Sequence, residues 1–304
     1  MKILVFGSNG LVGNSIKRQF KNNENYKCLF STREDTNLFS LEDTKKTIES
    51  FSPDLIINAA AKVGGIFAND TQGTSFLIEN LKININILES IINLSNTKLI
   101  NLGSSCIYPL NATNPISEDS FMTGELEPTN SPYAMAKLTA IELGKTLKKD
   151  FGHKIINLMP TNLYGPNDSF NKMDSHVIPG LIFRMHQAKI NNEENFSIWG
   201  TGNPMREFLY VDDLADAIKF INDTEVDYDL INVGSGVEIS IRDLAYEIKD
   251  LIGFSGELTF NSEMPDGNPR KLLDSSLLNR LGWKPITNLE EGLEITYKWF
   301  LDNN

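Results

Sequence analysis

Tyr133 and Lys137 lie four residues apart in a segment that predicts a helix starting near Ser131-Pro132. Side chains four residues apart lie on the same face of a helix, so the phenol and the ammonium group would be neighbours. A nearby positive charge favours the phenolate and would lower the phenol pKa from about 10 towards neutral pH. The pair therefore predicts a phenol that can donate a proton beside a bound hydride carrier.

A second reactive segment, Gly103-Ser104-Ser105-Cys106-Ile107-Tyr108, follows directly after the apolar run Lys98–Leu102, which predicts a strand. Ligands of open parallel sheets bind at the carboxyl ends of the strands, where this segment would lie. The hydroxyl groups of Ser104 and Ser105 could hold a substrate carbonyl oxygen. Cys106 adds a thiol at the same place, although a small buried thiol is the common fate of cysteine.

The chain opens with a short apolar strand, Ile3–Phe6, followed by the turn Gly7-Ser8-Asn9-Gly10-Leu11-Val12-Gly13 and a helical pattern through Phe20. Glycines allow a ligand to approach the backbone closely, and the start of the helix would face the phosphates of a dinucleotide. This order of strand, turn and helix predicts a dinucleotide-binding turn. A glycine turn that binds no ligand is the alternative.

The end of the second predicted strand, Tyr26–Thr32, bears on which dinucleotide would bind. An acidic residue there accepts hydrogen bonds from the ribose 2′-hydroxyl of NAD, whereas an arginine suits the 2′-phosphate of NADP. Arg33 favours NADP(H), and Asp35 lies close enough to keep NAD(H) as an alternative. Arg33 could also be an ordinary solvated surface charge.

Strands and helices alternate regularly through the first half of the chain. Further strands are predicted at Asp54–Asn58, Lys154–Leu158 and Leu230–Val233, and a helix is predicted at Leu41–Phe51. A long amphipathic helix, which could also form a dimer interface, is predicted at Phe76–Leu94. This alternation predicts an α/β fold with a doubly wound parallel sheet of the Rossmann type. The pattern changes after residue 165 and predicts a smaller mixed α/β C-terminal domain. We expect residues 1–165, with a return segment near 207–235, to form the nucleotide-binding domain, and residues 166–206 and 236–304 to form the substrate domain.

The composition is that of an ordinary globular protein, with 304 residues of which 40% are hydrophobic and 22% charged. A net charge of −12 and a pI near 4.8 argue against nucleic-acid binding. Cys28 and Cys106 form no disulfide framework, and Cys28, within an apolar strand, is predicted to be a core residue. No signal peptide or apolar run of about 18 residues is present. We therefore expect a cytoplasmic protein that binds neither a membrane nor a metal.

Longer motifs are spread along nearly the whole chain: Ala59-Ala60-Ala61-Lys62-Val63-Gly64-Gly65-Ile66, Gly103-Ser104-Ser105-Cys106-Ile107-Tyr108-Pro109, Leu126-Glu127-Pro128-Thr129-Asn130, Pro160-Thr161-Asn162-Leu163-Tyr164-Gly165-Pro166, Ser175-His176-Val177-Ile178-Pro179, Pro204-Met205-Arg206-Glu207-Phe208 and Pro269-Arg270-Lys271-Leu272-Leu273-Asp274. Together they resemble the extended short-chain dehydrogenase/reductase family. The resemblance is strongest to the homodimeric bifunctional members that act on GDP-4-keto-6-deoxy-D-mannose. It implies 3,5-epimerisation of that sugar, followed by NADPH-dependent reduction of the 4-keto group to give GDP-L-fucose. Another NAD(P)-dependent sugar-nucleotide epimerase or 4-ketoreductase is one alternative, and a dinucleotide-binding regulatory protein is the other.

The same resemblance implies a catalytic set of Ser104, Cys106, Tyr133, Lys137 and His176. The hydrogens at C3 and C5 are acidic because both carbons are α to the ketone, and inverting them needs a base on one face and an acid on the other. Cys106 would remove these protons and His176 would return them from the opposite face, although His176 could instead cap a helix. Tyr133 and Ser104 would hold the C4 oxygen, and Lys137 would bind the nicotinamide ribose.

Contacts with NADP(H) are implied for Gly7, Ser8, Asn9, Gly10, Leu11, Val12, Gly13, Arg33, Ala60, Ala61, Leu102, Gly103, Tyr133, Lys137, Pro160, Asn162, Leu163 and His176. Members of the family carry His-Arg where this chain has Ser8-Asn9. Because that arginine would contact a 2′-phosphate, its absence predicts weaker discrimination against NADH.

Contacts with the sugar nucleotide are implied for Ser104, Ser105, Cys106, Tyr133, Asn162, His176, Val177, Arg184, Trp199, Arg206, Asp266, Arg270 and Lys271. The four basic residues of this set could bind the diphosphate, or any of them could form a structural ion pair. Trp199 could stack on the substrate or belong to the core.

Overall fold

The structure, a computed structural model, describes residues 1–171, 175–224, 226–264 and 266–304, without the side chains of residues 66 and 67. The strands are β1 (Lys2–Phe6), β2 (Lys27–Ser31), β3 (Leu55–Asn58), β4 (Lys98–Leu102), β5 (Ile155–Pro160), β6 (Asn162–Tyr164), β7 (Asn195–Trp199), β8 (Met205–Tyr210), β9 (Leu230–Val233), β10 (Glu238–Ser240), β11 (Glu257–Asn261) and β12 (Arg270–Lys271). The α-helices are α1 (Leu11–Phe20), α2 (Leu41–Phe51), α3 (Ile66–Thr71), α4 (Gly73–Ile91), α5 (Ser131–Phe151), α6 (Val177–Ile190), α7 (Val211–Asp223), α8 (Ile241–Ile252), α9 (Ser276–Leu281) and α10 (Leu289–Asn303). Short 3₁₀ helices span Ser105–Ile107, Glu118–Ser120 and Pro128–Asn130.

A six-stranded parallel sheet forms the centre of the larger lobe, in the order β2-β1-β3-β4-β5-β9. Its strands are covered on both faces, as their continuous apolar runs require. Ile3 and Val5 pack with α1 and α7 on one face, and Leu4 packs with α2, α4 and α5 on the other. The doubly wound parallel sheet predicted from the sequence is confirmed.

The order of the strands places a crevice between β1 and β3. From β1 the chain continues to β2 on one side, and the later strands are added on the other side, starting with β3. Ligands of open α/β sheets bind outside the carboxyl ends of the strands where the order reverses in this way. The turn after Phe6 and the loop after Asn58 therefore border the expected binding crevice.

A smaller lobe contains a second sheet with β8 at its centre. Strand β8 pairs with β10 and β12 and also with β6, while β7 and β11 form a separate parallel pair. Helices α6, α8 and α10 pack around an apolar cluster that includes Ile182, Phe196 and Ile248. The domain boundaries stay a prediction. Strand β8 pairs within the smaller sheet, so the return to the large sheet is made by α7 and β9.

The predicted elements agree closely with the observed ones. Helix α2 and strands β4 and β9 have the predicted bounds, whereas α4 begins at Gly73, three residues before the predicted start at Phe76. Of the described helices, none combines the length and the apolar character that crossing a membrane would require.

A row of buried asparagines joins the strands beneath the crevice. Asn58, Asn101 and Asn157 lie in register on β3, β4 and β5. Asn58 Nδ2 donates to Asn101 Oδ1 (2.8 Å), and Asn101 Nδ2 donates to Asn157 Oδ1 (3.1 Å). Asn58 Oδ1 also accepts from Ala60 N (3.1 Å), so the row holds the loop that follows β3 in place. Satisfied buried amides of this kind favour one strand register.

Candidate active site

The glycine turn and the loop after β3 approach each other more closely than side chains would permit. Gly7 has φ +76°, and a Cβ on it would lie 2.6 Å from Ala60 N. A Cβ on Gly13 would lie 2.2 Å from the carbonyl oxygen of Gly7. The two glycines therefore allow the first turn to fold tightly against α1 and the third strand's loop.

A cavity of about 530 Å³ opens at this edge of the large sheet. Its walls include the first turn, the end of β2, the loop after β3 and the segment after β4. The opposite wall comes from Asn162, Asn167-Asp168-Ser169 and His176. Backbone amides of a glycine turn at a helix start are a suitable cradle for phosphates, so these residues fit a dinucleotide.

Most of the residues predicted to bind the cofactor line this cavity, and two do not. Ser8 is fully buried, and its backbone N–H donates to Ser31 O (3.2 Å). Gly13 is buried below the Gly7 carbonyl. Both residues shape the turn from behind, and their contact with the cofactor stays a prediction.

The two candidate selectivity residues after β2 differ in where they point. Arg33 is exposed and lines the cavity, 5.8 Å from the ring centroid of Phe39. Asp35 lies outside the cavity walls, and its Oδ2 accepts from Thr32 N (2.9 Å) and Thr32 Oγ1 (2.7 Å). These hydrogen bonds also hold the pKa of Asp35 below its usual value. The Asp35 carboxylate is thus engaged in a local turn, whereas Arg33 lines the cavity.

The turn after β4 brings a hydroxyl and a thiol into contact. Ser104 Oγ accepts from Cys106 N (3.3 Å) and caps the 3₁₀ helix Ser105–Ile107. This turn leaves Ser104 Oγ and Cys106 Sγ only 2.7 Å apart. Ser104 and Ser105 line the cavity, and Cys106 lies directly behind Ser104, outside the cavity walls. The contact places an acid–base group beside the hydroxyl that would hold a carbonyl oxygen.

Tyr133 and Lys137 stack on the same face of α5 and both line the cavity. Lys137 Nζ donates to Leu102 O (2.7 Å) and lies 5.7 Å from the centroid of the Tyr133 ring. Burial lowers the pKa of Lys137 to about 8. Burial also raises the pKa of Tyr133, against a hydrogen bond with Ser104 that favours the phenolate. The lowering of the Tyr133 pKa predicted from the sequence is therefore wrong for this structure, and the phenol stays protonated as a donor.

His176 is the residue immediately before α6, and its side chain makes no capping hydrogen bond. His176 therefore occupies the N-cap position without capping the helix through its side chain. The imidazole lines the cavity and keeps accessible surface there. Surrounding protein nevertheless removes enough water to lower its pKa below the usual 6.5. A neutral, cavity-facing imidazole is available to bind or transfer a proton.

Arg206 and Lys271 are neighbours in the smaller sheet, because they lie opposite each other in the β8–β12 pair. Neither forms an ion pair with a carboxylate among the described residues. Burial lowers the pKa of each, and the negative form of Cys106 is close enough to oppose that shift at Lys271. The two cations therefore lie on the Cys106 side of the site and could hold an anionic ligand.

Arg270 and Asp266 were predicted to contact the substrate, and the structure places both in protein contacts. Arg270 precedes Lys271 on β12 and points to the opposite face, where its Nε and Nη2 bind the Glu238 carboxylate at 2.5–2.9 Å. Asp266 accepts from Thr201 N (2.7 Å) and Thr201 Oγ1 (2.8 Å). Arg270 thus forms the structural ion pair that was the alternative for it, and Asp266 ties two loops together.

The remaining predicted substrate residues, Val177, Arg184 and Trp199, lie on α6 and β7 of the smaller lobe. Arg184 of α6 donates to Gly180 O (3.3 Å) and lies 5.2 Å from the ring centroid of Phe196, without an ion pair in the described part of the chain. Val177 is exposed at the start of α6. Trp199 is 56% exposed at the end of β7, so it is not a core residue. Cys28 is half-buried and packs against the core of the larger lobe.

Asn167, Asp168 and Ser169 line the cavity although the sequence analysis did not single them out. They follow β6 after Gly165-Pro166, and their place after a strand could have indicated them. Asp168 Oδ1 accepts from Ser169 N (2.8 Å), and Oδ2 has no partner in the described ranges. Burial raises the pKa of Asp168 to about 7.

The fold and the site together define a nucleotide-dependent enzyme of the dehydrogenase type, with a hydroxyl, phenol and lysine set at a dinucleotide crevice. Residues 3–234 match the model of the NAD dependent epimerase/dehydratase family. The chain belongs to this family.

Comparison with individual proteins gives relatives whose activity is named more specifically than that of the family. The chain is 45% identical to GDP-L-fucose synthase 1 of Arabidopsis thaliana over 99% of its own length and 94% of the relative. It is 41% identical to GDP-L-fucose synthase of Escherichia coli, over 99% of this chain and 97% of that one. Among solved structures it is similar to a GDP-L-fucose synthetase from Naegleria fowleri bound to NADP, with a TM-score of 0.90, 30% identity and coverage of 99% and 94%.

Proposed function

We propose that this protein is a GDP-L-fucose synthase that converts GDP-4-keto-6-deoxy-D-mannose to GDP-L-fucose. The proposal is supported by relatives of that name at 41–45% identity over 99% of the chain. The single observation that carries the chemistry is the 2.7 Å contact between Ser104 Oγ and Cys106 Sγ at the cavity edge. A plain ketone reductase needs the serine, tyrosine and lysine but has no use for a thiol at that place.

The cofactor that we propose is NADP(H), as in the similar structure from Naegleria fowleri. Arg33 would bind the 2′-phosphate, the turn Gly7–Val12 the diphosphate, and Lys137 the nicotinamide ribose. When bound, NADPH supplies the hydride that reduces C4 of the sugar.

In the epimerisation, Cys106 and His176 act as the base and the acid. The Cys106 thiolate accepts the proton from C3 or C5, which leaves an enolate whose negative charge lies on the C4 oxygen. Ser104 and Tyr133 donate hydrogen bonds to that oxygen and stabilise the charge. His176, as the imidazolium, then gives its proton to the opposite face of the same carbon, so that the configuration inverts. The imidazole regains a proton from solvent and the Cys106 thiol loses its proton to solvent, which restores both groups for the second carbon. Arg206 and Lys271 would hold the anionic substrate beside these groups.

In the reduction, Tyr133 supplies the proton to the C4 oxygen. Its raised pKa keeps the phenol protonated at neutral pH, so the donor is in the correct form before the substrate binds. The buried Lys137 ammonium, whose pKa is about 8, compensates the negative charge that the phenol acquires. One cavity therefore serves both reactions, because each uses the same pair of donors on the C4 oxygen.

The nucleotide diphosphate would bind to Arg184, Arg206 and Lys271, which lack carboxylate partners in the described part of the structure. Trp199, exposed at the end of β7, would stack on the nucleotide or sugar. We also propose that the protein is a cytoplasmic homodimer. Its two half-buried, unpaired cysteines suit a reducing compartment.

The decisive experiment is incubation of the enzyme with GDP-4-keto-6-deoxy-D-mannose and NADPH in D₂O, followed by NMR of the product. We expect deuterium at both C3 and C5 of GDP-L-fucose, with one NADPH consumed for each product molecule. A boiled-enzyme sample and one without NADPH serve as controls, and the latter should still show exchange.

Other outcomes have distinct meanings. Reduction without deuterium at C3 and C5 would leave a plain 4-ketoreductase and remove the roles of Cys106 and His176. Exchange without net NADPH consumption would indicate an epimerase that is not a reductase. Either result contradicts the proposed function.

A further inference from the structure

The space between the first turn and the end of β2 is where a ribose 2′-substituent would lie. In dinucleotide-binding folds the residues that follow the second strand contact this position, and the diphosphate sits on the first turn. Here the two segments touch, since Ser8 N donates to Ser31 O at 3.2 Å. Asn9 and Arg33 therefore face the same end of the cavity from two sides.

Lys17 of α1 brings a second positive charge close to the first turn and the end of β2. Lys17 is half-buried, and its Nζ donates to Asn9 Oδ1 at 3.0 Å. The same Nζ lies 5.9 Å from the ring centroid of Phe30 near the end of β2. Asn9 and Phe30 thus hold the Lys17 ammonium between the first turn and the second strand, beside the cavity wall.

The Lys17 ammonium makes no ion pair among the described residues. The charge of Lys17 acts on the Asp35 carboxylate, which is itself engaged with the N–H and Oγ1 of Thr32. An ammonium has three donors, and Asn9 Oδ1 uses one of them. Lys17 therefore keeps donors for an anion at this end of the cavity.

We propose that Lys17 is a specificity-determining residue, which binds the 2′-phosphate of NADP(H) together with Arg33 while Asn9 positions its ammonium group. This inference rests on the proposed function, because it assumes that the cavity binds NADP(H). It also changes an expectation from the sequence. The uncharged Asn9 predicted weak discrimination against NADH, because it lacks the positive charge of an arginine. Lys17 of α1, which donates to Asn9, supplies that second positive charge instead.

The test compares binding of NADPH, NADH and 2′,5′-ADP to the wild-type protein and to Lys17→Ala, by nucleotide fluorescence and calorimetry without sugar substrate. We expect Lys17→Ala to weaken NADPH and 2′,5′-ADP by about tenfold to hundredfold, the range for a lost charge-assisted hydrogen bond. Binding of NADH should change less than about twofold, because NADH has no 2′-phosphate. Lys17→Arg should retain most of the NADPH affinity.

The matched control is Lys21→Ala, which removes the same charge from the exposed end of α1. It should leave both affinities unchanged. Equal losses for NADPH and NADH in Lys17→Ala would show that Lys17 only supports the turn, and no loss for either would show that it does not reach the phosphate. Both results overturn the inference while leaving the proposed function intact. A wild-type protein that binds neither dinucleotide would overturn both.

Discussion

At the residue scale, Cys106 and Ser104 share one tight turn, and in the proposed mechanism this proximity would link proton abstraction to the holding of the C4 oxygen. A base that removes a proton α to a ketone works best when the enolate oxygen is stabilised at the same time. The 2.7 Å contact between the two side chains provides that arrangement. The thiol of Cys28, by contrast, packs against the core, and burial raises its pKa.

We therefore predict that Cys106→Ser abolishes exchange at C3 and C5, by at least about a hundredfold, because a serine hydroxyl is a far weaker acid than a thiol. Reduction of the unepimerised ketone should remain measurable, since Ser104, Tyr133 and Lys137 are intact. NMR of the sugar in D₂O and NADPH absorbance follow the two activities. Cys28→Ser is the control and should keep both. Normal exchange in Cys106→Ser would exclude the thiol as the base.

A second residue-scale prediction concerns the titration of His176. Desolvation disfavours the imidazolium, so in the free protein the group should titrate below pH 6.5 and be mainly neutral at pH 7. Proton NMR of the three histidines across pH 5–8 measures this, and the resonance missing in His176→Gln assigns it. Titration of that resonance at or above pH 6.5 would contradict the prediction.

At the element scale, Glu207 joins the elements that carry the substrate-binding cations. Its carboxylate is fully buried and accepts from Gly236 N (2.7 Å) and Leu273 N (3.1 Å). Its backbone oxygen accepts from Asn162 Nδ2 (2.8 Å). Glu207 follows Arg206 on β8 and fixes the chain just after β12, so it sets where Arg206 and Lys271 lie relative to each other.

We predict that Glu207→Gln destabilises the protein by about 1–3 kcal/mol, because an amide N–H would face a backbone N–H in place of a carboxylate oxygen. The KM for the GDP-sugar should rise several-fold, while the dissociation constant for NADPH should change little. Thermal unfolding, steady-state kinetics and fluorescence titration provide the three measurements. Glu257→Gln on exposed β11 is the control. A loss confined to stability, with KM unchanged, would show that Glu207 does not position the cations.

At the scale of the whole molecule, the protein is strongly acidic yet leaves a few cations unpaired at its ligand sites. The net charge is −12, while Arg184, Arg206 and Lys271 have no ion pairs within the described residues. Under the proposed function, these local cations would attract a diphosphate to a protein whose overall charge repels anions.

The helix pair α4–α5 presents apolar side chains on its outer face. Ile78 and Ile85, two turns apart on α4, and Met135 on α5 are each more than a third exposed. We predict that this face forms the interface of the proposed homodimer. The double variant Ile78→Lys/Ile85→Lys should separate the dimer into monomers, because the new charges would be buried in the interface without partners. Light scattering should give twice the 34.1 kDa chain mass for the wild type and a single mass for the double variant. Ile286→Lys, at an exposed site elsewhere, should remain dimeric, and a dimeric double variant would place the interface on another surface.

Much of the fold was predictable because its signals are local. Alternating apolar runs and amphipathic helices predicted the doubly wound sheet, and the bounds of β4 and α2 agree with the prediction. The position of Ser104 after a strand, and of Tyr133 and Lys137 one helical turn apart, predicted that these residues would meet at the carboxyl edge of the sheet. Strand ends and helical periodicity depend on neighbouring residues, so the sequence by itself determined this framework.

The roles of individual charged residues were decided only by the tertiary structure. Arg270 and Lys271 are adjacent in sequence, but strand alternation and the pairing of β12 with β8 send one to Glu238 and leave the other beside Arg206. The turn at Thr32 occupies Asp35 and leaves Arg33 facing the cavity. Lys17 reaches Asn9 from α1. In each case the role of the charged group depends on the side chains that surround it in space. Those surroundings determine whether the charge is paired within the protein or left to bind a ligand.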